Sequence, residues 1–267
     1  LALGFIVSSA AGLGLMFLFE MFDNRPHSIE DVEALFDYQV LAHIPKVNET
    51  GPFLLNGNSP QGEAYRRLRT NLLIPRDGQV LRSLIITSAE PGEGKSTTAA
   101  NLALSIAHSG REVIVVDCDM RASAMHLFFD RPNDVGLSSV LIGEVPLDDA
   151  IQETDKPGLY LLSSGPASSN TSELLGLPEM EELLDRLTEK YDFVLLDTPP
   201  LLAVSDAAIL LSRVDRTLLV VDRDQSSPRA IEAATEQLSL VQAKMVGAII
   251  NRTDLNKRYP RYYNQFR

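Results

Sequence analysis

Tryptophan is absent from this chain of 267 residues, cysteine occurs once, and 24 Lys and Arg face 36 Asp and Glu. Each scarcity removes a class of function. A net charge of −12 argues against general nucleic-acid binding, because a phosphate backbone needs a basic face. The single cysteine, Cys118, cannot form an internal disulfide, which fits a reducing cytoplasm. His27, His43, His108 and His126 show no metal-ligand spacing. Internal repeats and low-complexity tracts are missing as well. What remains is an ordinary globular composition, 45% hydrophobic and 22% charged, in a length that suits one large core with an appendage.

The chain opens on Leu1 rather than methionine, which reads as a piece of a longer protein. "LALGFIVSSAAGLGLMFLF" carries no charge before Glu20, and about 20 apolar residues are needed for a helix to cross a bilayer. Gly4, Ser8 and Gly12 recur at the spacing that lets membrane helices pack closely. A signal peptide would open on basic residues and close on a cleavage site, and neither is visible. The expectation is a transmembrane helix over residues 1–22. Residues 23–60 then read as a juxtamembrane segment. Ser28 and Asp31 cap a short helix over Ile29–Leu35, "VLAHIPKV" is a brief extended piece, and Gly51–Pro60 is a polar linker. The main domain is expected over residues 61–256, opening on the amphipathic helix "GEAYRRLRTNLLI", with a tail over residues 257–267.

Six short apolar runs punctuate that domain: Ser83–Ser88, Glu112–Asp117, Leu159–Ser164, Phe193–Asp197, Thr217–Asp222 and Val246–Asn251. They lack polar alternation, so both faces of each strand are covered, as in a parallel sheet between helix layers. The expected fold class is therefore α/β with a mostly parallel central sheet, and the glycine-rich stretch Ser88–Thr97, with Gly94, Lys95 and Ser96 after the first of these runs, makes it a P-loop NTPase. Ligands in such sheets sit at the carboxyl ends of the strands.

The loop after the first run is "SAEPGEGKST", Ser88–Thr97, in the strand–loop–helix setting that a phosphate loop requires. Gly92 and Gly94 let the backbone of Pro91–Thr97, Glu93 included, curl its N–H groups towards a phosphate, and the following helix adds its N-terminal dipole. Lys95 is placed to reach the β- and γ-phosphates and Ser96 to ligate Mg²⁺. "VIVVDCDMR" puts Asp117 and Asp119 on one side of an extended chain. "DFVLLDTPP" ends its run on Asp197, placed to hold the metal directly or through water. Cys118 points to the opposite packing layer and takes no role.

"AEPGEGKSTTAANLA" together with "VIVVDCDMR" and "DFVLLDTPP" resembles the bacterial tyrosine kinases, the P-loop autokinases attached to polysaccharide co-polymerases. "GLSSVLIGEVPLDDAI", "NTSELLGLPEM" and "PLLAVSDAAILLSRVD" are similar to that family too, so the likeness covers almost the whole chain. It implies an ATP·Mg²⁺ site made by Lys95, Ser96, Asp117, Asp119 and Asp197, with Asp117 as base for an incoming tyrosine hydroxyl. It also implies a kinase domain in the cytoplasm, anchored in the bacterial inner membrane, that controls capsule and exopolysaccharide polymerisation. Its implied partners are the polysaccharide polymerase and export machinery and a tyrosine phosphatase.

Glu63, Arg66 and Arg69 stand three apart and so share a helix face. Periodicity alone would make that a solvated charged face; the resemblance implies an interface that closes a homo-oligomeric ring. The tail "NKRYPRYYNQFR" holds Tyr259, Tyr262 and Tyr263 among Lys257, Arg258, Arg261 and Arg267. These tyrosines are the expected phosphoacceptors, offered to a neighbour by attraction between a basic tail and an acidic chain. Each phosphate would add about −1.5 to −2 charge and weaken that attraction.

Three rivals compete. Dimerising partition and division-site ATPases carry an extra lysine five positions before the loop lysine, where Glu90 stands here. A GTPase is suggested by "NRTD", Asn251–Asp254, but Arg252 replaces the lysine of a guanine-reading motif, and Asn251 suits contact with an adenine. A nucleotide-switched chain-length regulator without kinase activity is the third, and it must explain why Lys95 and all three aspartates are present.

Overall fold

In the computed structural model of the chain, the residues described are 38–46, 59–75, 78, 80–168 and 170–254. The expected membrane span, the Ile29–Leu35 helix, most of the linker and the tyrosine tail lie outside them. Among the described residues no helix is long and apolar enough to cross a membrane.

All six apolar runs become strands: β2 (Ser83–Ser88), β3 (Val113–Asp117), β5 (Leu159–Leu162), β6 (Phe193–Asp197), β7 (Arg216–Asp222) and β8 (Met245–Thr253). Two more join them, β1 (Val40–Pro45) and the short β4 (Gln152–Glu153), to give the order β1-β8-β7-β2-β6-β3-β5-β4. Every pairing is parallel except β4 with β5. β2, β3 and β6 are buried at every position, which is why they read as unbroken apolar runs.

Alternate residues feed two cores. Leu84, Ile86, Val113, Val115, Phe193 and Leu195 pack under helices α1 (Pro60–Leu73) and α2 (Lys95–Ala107). Ile85, Ile114, Val116, Val194 and Leu196 pack under α7 (Pro178–Lys190) and α9 (Pro228–Leu240). Among the described residues there are also the short helices α3 (Met125–Phe129), α4 (Leu137–Leu141), α5 (Leu147–Ala150), α6 (Thr171–Gly176) and α8 (Asp206–Leu210) and a 3-10 turn at Leu211–Arg213. Two of the four long helices described, α1 and α9, start alike. Ser59 Oγ accepts from Gly62 N at 3.0 Å and Ser227 Oγ accepts from Ala230 N at 3.1 Å, with Pro60 and Pro228 at the first helical position.

β1 is the departure from the sequence reading, since it lies in the segment assigned to the juxtamembrane side of the boundary. Its pairs run from Val40 opposite Ala248 to Pro45 opposite Thr253, and Asn71 Nδ2 of α1 donates to Leu41 O at 2.9 Å. Gly247 makes the close approach possible: a Cβ there would run into Gln39 O and the Leu41 side chain. The strand is six residues with a histidine and a terminal proline, so its own pattern says little; a glycine on its distant neighbour admits it.

Candidate active site

The site sits at the carboxyl ends of β2, β3 and β6, where the loop Ala89–Gly94 leads into α2. Gly92 and Gly94 adopt φ of 85° and 91°, a left-handed backbone that glycine takes without strain. At Gly94, the cap of α2, a Cβ would also collide with the Asn251 amide. These two glycines curl the loop so that the first N–H groups of α2 point out of the strand end, a ready anion cradle.

Lys95, Asp117, Asp119 and Asp197 come together as expected. Asp117, Asp119 and Asp197 follow the parity of Val113, Val115 and Leu195, so all three face the α2 layer and Lys95. Cys118 falls in the opposite core. Lys95 Nζ donates to Asp119 Oδ2 at 2.8 Å and to Ser96 Oγ at 3.2 Å, and it stands 3.7 Å from Asp197 Oδ1. Both Asp197 carboxylate oxygens are buried with no hydrogen bond of ordinary geometry, although the nearby Ser96 hydroxyl favours the ionised form. An orphaned, inward-aimed carboxylate beside a hydroxyl and a second carboxylate is a donor set for a hard cation. Among the described residues no cluster of three or more His, Cys, Asp or Glu side chains could cage a metal alone. Mg²⁺ takes one or two carboxylates and completes its shell with water and phosphate, and Asp119, Asp197 and the Ser96 hydroxyl are donors of that kind.

Burial dominates the electrostatics. It pushes the Asp197 carboxyl up to about 7, with Lys95 opposing and Asp117 adding to the rise. Burial acts to lower Lys95, but Asp197 and Asp119 outweigh it and the ammonium is held more firmly protonated than usual. Asp117 is raised by burial too, against hydrogen bonds that favour its ionised form. Its Oδ2 accepts from Ser123 Oγ at 2.9 Å, Met125 N at 3.1 Å and Ala124 N at 3.2 Å; its Oδ1 accepts from Asp119 N at 3.1 Å. Asp117 thus pins the turn into α3, and Oδ1 is the oxygen with acceptor capacity left.

Three sets of residues support the site that the sequence reading did not single out in these roles. Glu93, fully buried in the loop, accepts from Glu90 N at 2.9 Å and from the Ser226 hydroxyl. Arg252 donates to the buried Asp222 carboxylate and, at 3.2 Å, to Gly92 O. Asn251 Nδ2 donates to Glu93 O at 2.9 Å and its Oδ1 accepts from Arg252 N at 2.9 Å, so this expected base contact also braces the loop. Finally, Arg121 donates to the buried Asp206 at 3.0 Å, and Thr171 and Ser172 donate to the same carboxylate. Arg121 adjoins the Asp117–Asp119 pattern, the one signal that could have flagged it.

On α1, Arg66 Nε donates to Glu63 Oε2 at 2.8 Å, whereas Arg69 Nη1 turns inward to Ser105 O of α2 at 2.6 Å. The three share a face, but Arg69 is tied to the fold. Pro91 and Gly92 are exposed, and Ser96 and Thr97 are half-buried in the first turn of α2. Glu90, where the division-site ATPases carry lysine, is exposed.

Residues 82–251 match the family model described as an AAA domain. Tyrosine-protein kinase YwqD of Bacillus subtilis is 41% identical over 199 residues, 74% of this chain and 84% of YwqD. The solved chimerical protein CapA2B2 superposes with a TM-score of 0.78 at 34% identity, over 85% of this chain and 99% of that one. The septum site-determining protein MinD from Pyrococcus horikoshii, solved with Mg-ADP, superposes with 0.57 at 26%, over 69% of this chain and 76% of its own. The division-site ATPase is thus a more distant likeness than the chimera. The chain belongs to the bacterial tyrosine-protein kinases.

Proposed function

We propose that this kinase transfers the γ-phosphoryl group of ATP to Tyr259, Tyr262 or Tyr263 of a neighbouring copy, and through that reaction regulates capsular or exopolysaccharide polymerisation and export. In this reading residues 1–22 anchor it in the bacterial inner membrane with the kinase domain in the cytoplasm. Glu63, Arg66 and Arg69 contribute to a ring of subunits. The polysaccharide polymerase and export machinery and a tyrosine phosphatase are its partners.

One observation carries the chemistry: at the N-terminus of α2, Lys95 Nζ lies between Asp119, at 2.8 Å, and the buried Asp197 carboxylate, at 3.7 Å. Phosphoryl transfer asks the protein for positioning and charge stabilisation rather than covalent chemistry. The loop Pro91–Thr97 holds the phosphates with its N–H groups. Lys95, now paired with Asp119, swings to the transferring group and stabilises its charge. Ser96, Asp119 and Asp197 would hold Mg²⁺, which when bound neutralises phosphate charge and orients the leaving oxygens. Asp117 Oδ1 accepts the tyrosine hydroxyl proton, and Asn251 faces the adenine. YwqD and its relatives carry the name of the activity, and the Mg-ADP of MinD supports the cofactor assignment.

Mixing two variants tests transfer between subunits. Lys95→Met keeps an intact tail but no catalysis; the variant with Tyr259, Tyr262 and Tyr263 all changed to Phe keeps catalysis without acceptors. Phosphotyrosine on the Lys95→Met tail after mixing is the expected result. A tail that stays bare in the mixture while the parent protein labels itself would restrict transfer to a chain's own tail.

A further inference from the structure

At the edge of the sheet opposite the active site, where the strands begin, a groove of about 470 Å³ opens between the end of α1 and the starts of β2, β7 and β8. Leu72 lines it, and Ile74 and Val80 stand 56% and 61% exposed beside it. Arg82, Arg216 and Lys244 line the same groove. None of these three cations forms an ion pair among the described residues. The carboxylate present, Asp215, is spent on backbone: its Oδ2 accepts from Arg82 N and from Ser83 N, both at 2.9 Å. Three cations against one carboxylate leave the groove net positive beside exposed apolar surface, which suits a partner that is acidic and apolar at once.

Such a partner lies in the same chain. β1 starts at Val40 on this edge, and Gln39 O accepts from Ala248 N at 3.0 Å; Val246, two residues earlier on β8, lines the groove. The chain just upstream, residues 28–37, reads SIEDVEALFD. It contains Glu30, Asp31, Glu33 and Asp37, no cation, and Ile29, Val32, Leu35 and Phe36 at spacings that share one helix face. Ten residues span about 15 Å as a helix and about 33 Å extended, enough to pass the roughly 4.8 Å between neighbouring strands twice over.

We infer that residues 28–37 dock into this groove, their apolar face on Leu72, Ile74 and Val80 and their carboxylates against Arg82, Arg216 and Lys244. An anionic lipid surface offers both chemistries as well, and is the competing occupant that the test excludes. The tethered segment supplies both chemistries at high effective concentration.

Hydrogen exchange of the full chain in detergent micelles tests this. The parent is compared with a variant carrying Arg82→Glu, Arg216→Glu and Lys244→Glu, and with one that adds Glu30→Lys, Asp31→Lys and Glu33→Lys. Amides of residues 28–37 should exchange about tenfold or more slowly in the parent than in the groove variant, with protection regained in the combined variant. Unchanged protection in β2 and β6 shows that each variant is folded; if they fail this check, Lys244→Glu alone is used, with a smaller loss expected. Equal exchange of residues 28–37 in parent and groove variant overturns the docking. So does protection that appears only when vesicles of anionic lipid are added, or that rises with protein concentration and so belongs to a neighbour's groove.

Discussion

Asp197 is the residue whose environment is most directly measurable. Its carboxyl lies at about 7 rather than 3.8, so without ligand the folded state holds a proton through the range where an unfolded chain has lost it. That contribution to stability is complete below the ordinary carboxylate value and disappears as the pH rises through about 7. Metal binding needs the ionised form, so affinity for Mg²⁺·ATP should fall as the pH drops from about 7.5 to about 5.5, by up to about tenfold per unit. Titration calorimetry across that range checks it, with Asp197→Asn expected to bind weakly and with a flattened profile; an identical slope in the variant contradicts the assignment. Gly94→Ala should be worse than its size suggests. It forces a side chain to φ 91° and into Asn251, costing about 1 kcal/mol or more of stability and most of the nucleotide affinity, measurable by urea unfolding and by binding of a fluorescent ATP analogue. Gly92, Gly94, Lys95 and the three aspartates were legible in the sequence because each belongs to a short local pattern. Glu93 with Ser226, and Arg121 with Asp206, were not, because 133 and 85 residues separate the partners and no local spacing records such a pairing.

Among the elements, α1 separates fold from assembly. Arg69 bonds the Ser105 carbonyl of α2 at 2.6 Å, so Arg69→Ala should cost about 1–2 kcal/mol of unfolding free energy. Glu63 and Arg66 pair on a partly exposed surface, and changing either to Ala should cost no more than about 1 kcal/mol. Urea unfolding of the three variants beside their sedimentation distinguishes the roles. A ring that dissociates in Glu63→Ala and Arg66→Ala with unfolding unchanged supports the interface; three equal losses of stability would assign the whole face to the fold. The loop brace predicts a different signature. Ser226→Ala removes the hydroxyl that holds Glu93, and should raise KM for ATP several-fold while leaving kcat within about threefold. A loss confined to kcat would instead place Ser226 in the chemistry. At this scale the six apolar strands were legible because burial on both faces leaves a continuous hydrophobic run. β1 was legible as an extended piece but not as a member of this sheet, since it carries His43 and Pro45 and depends on Gly247, and β4, two residues long, was not legible at all.

Across the whole molecule the sheet divides the labour between its two ends. The carboxyl ends of β2, β3 and β6 gather Lys95 and three aspartates, and the amino ends receive the chain through β1. That polarity follows from parallel pairing, since every crossover returns the chain to the same starting edge. The order of the strands is not written in any one of them, and it decides which acidic residue meets which: Asp117 lies opposite Asp197 because β3 and β6, far apart in sequence, are neighbours. The central claim is that this arrangement phosphorylates the tail. Phosphosite mapping by mass spectrometry, after incubation with ATP and Mg²⁺, tests it most directly beside Lys95→Met. Phosphate on Tyr259, Tyr262 or Tyr263 in the parent and none in the variant is the predicted result. ATP turnover with an unmodified tail would contradict it and leave a nucleotide-driven assembly switch.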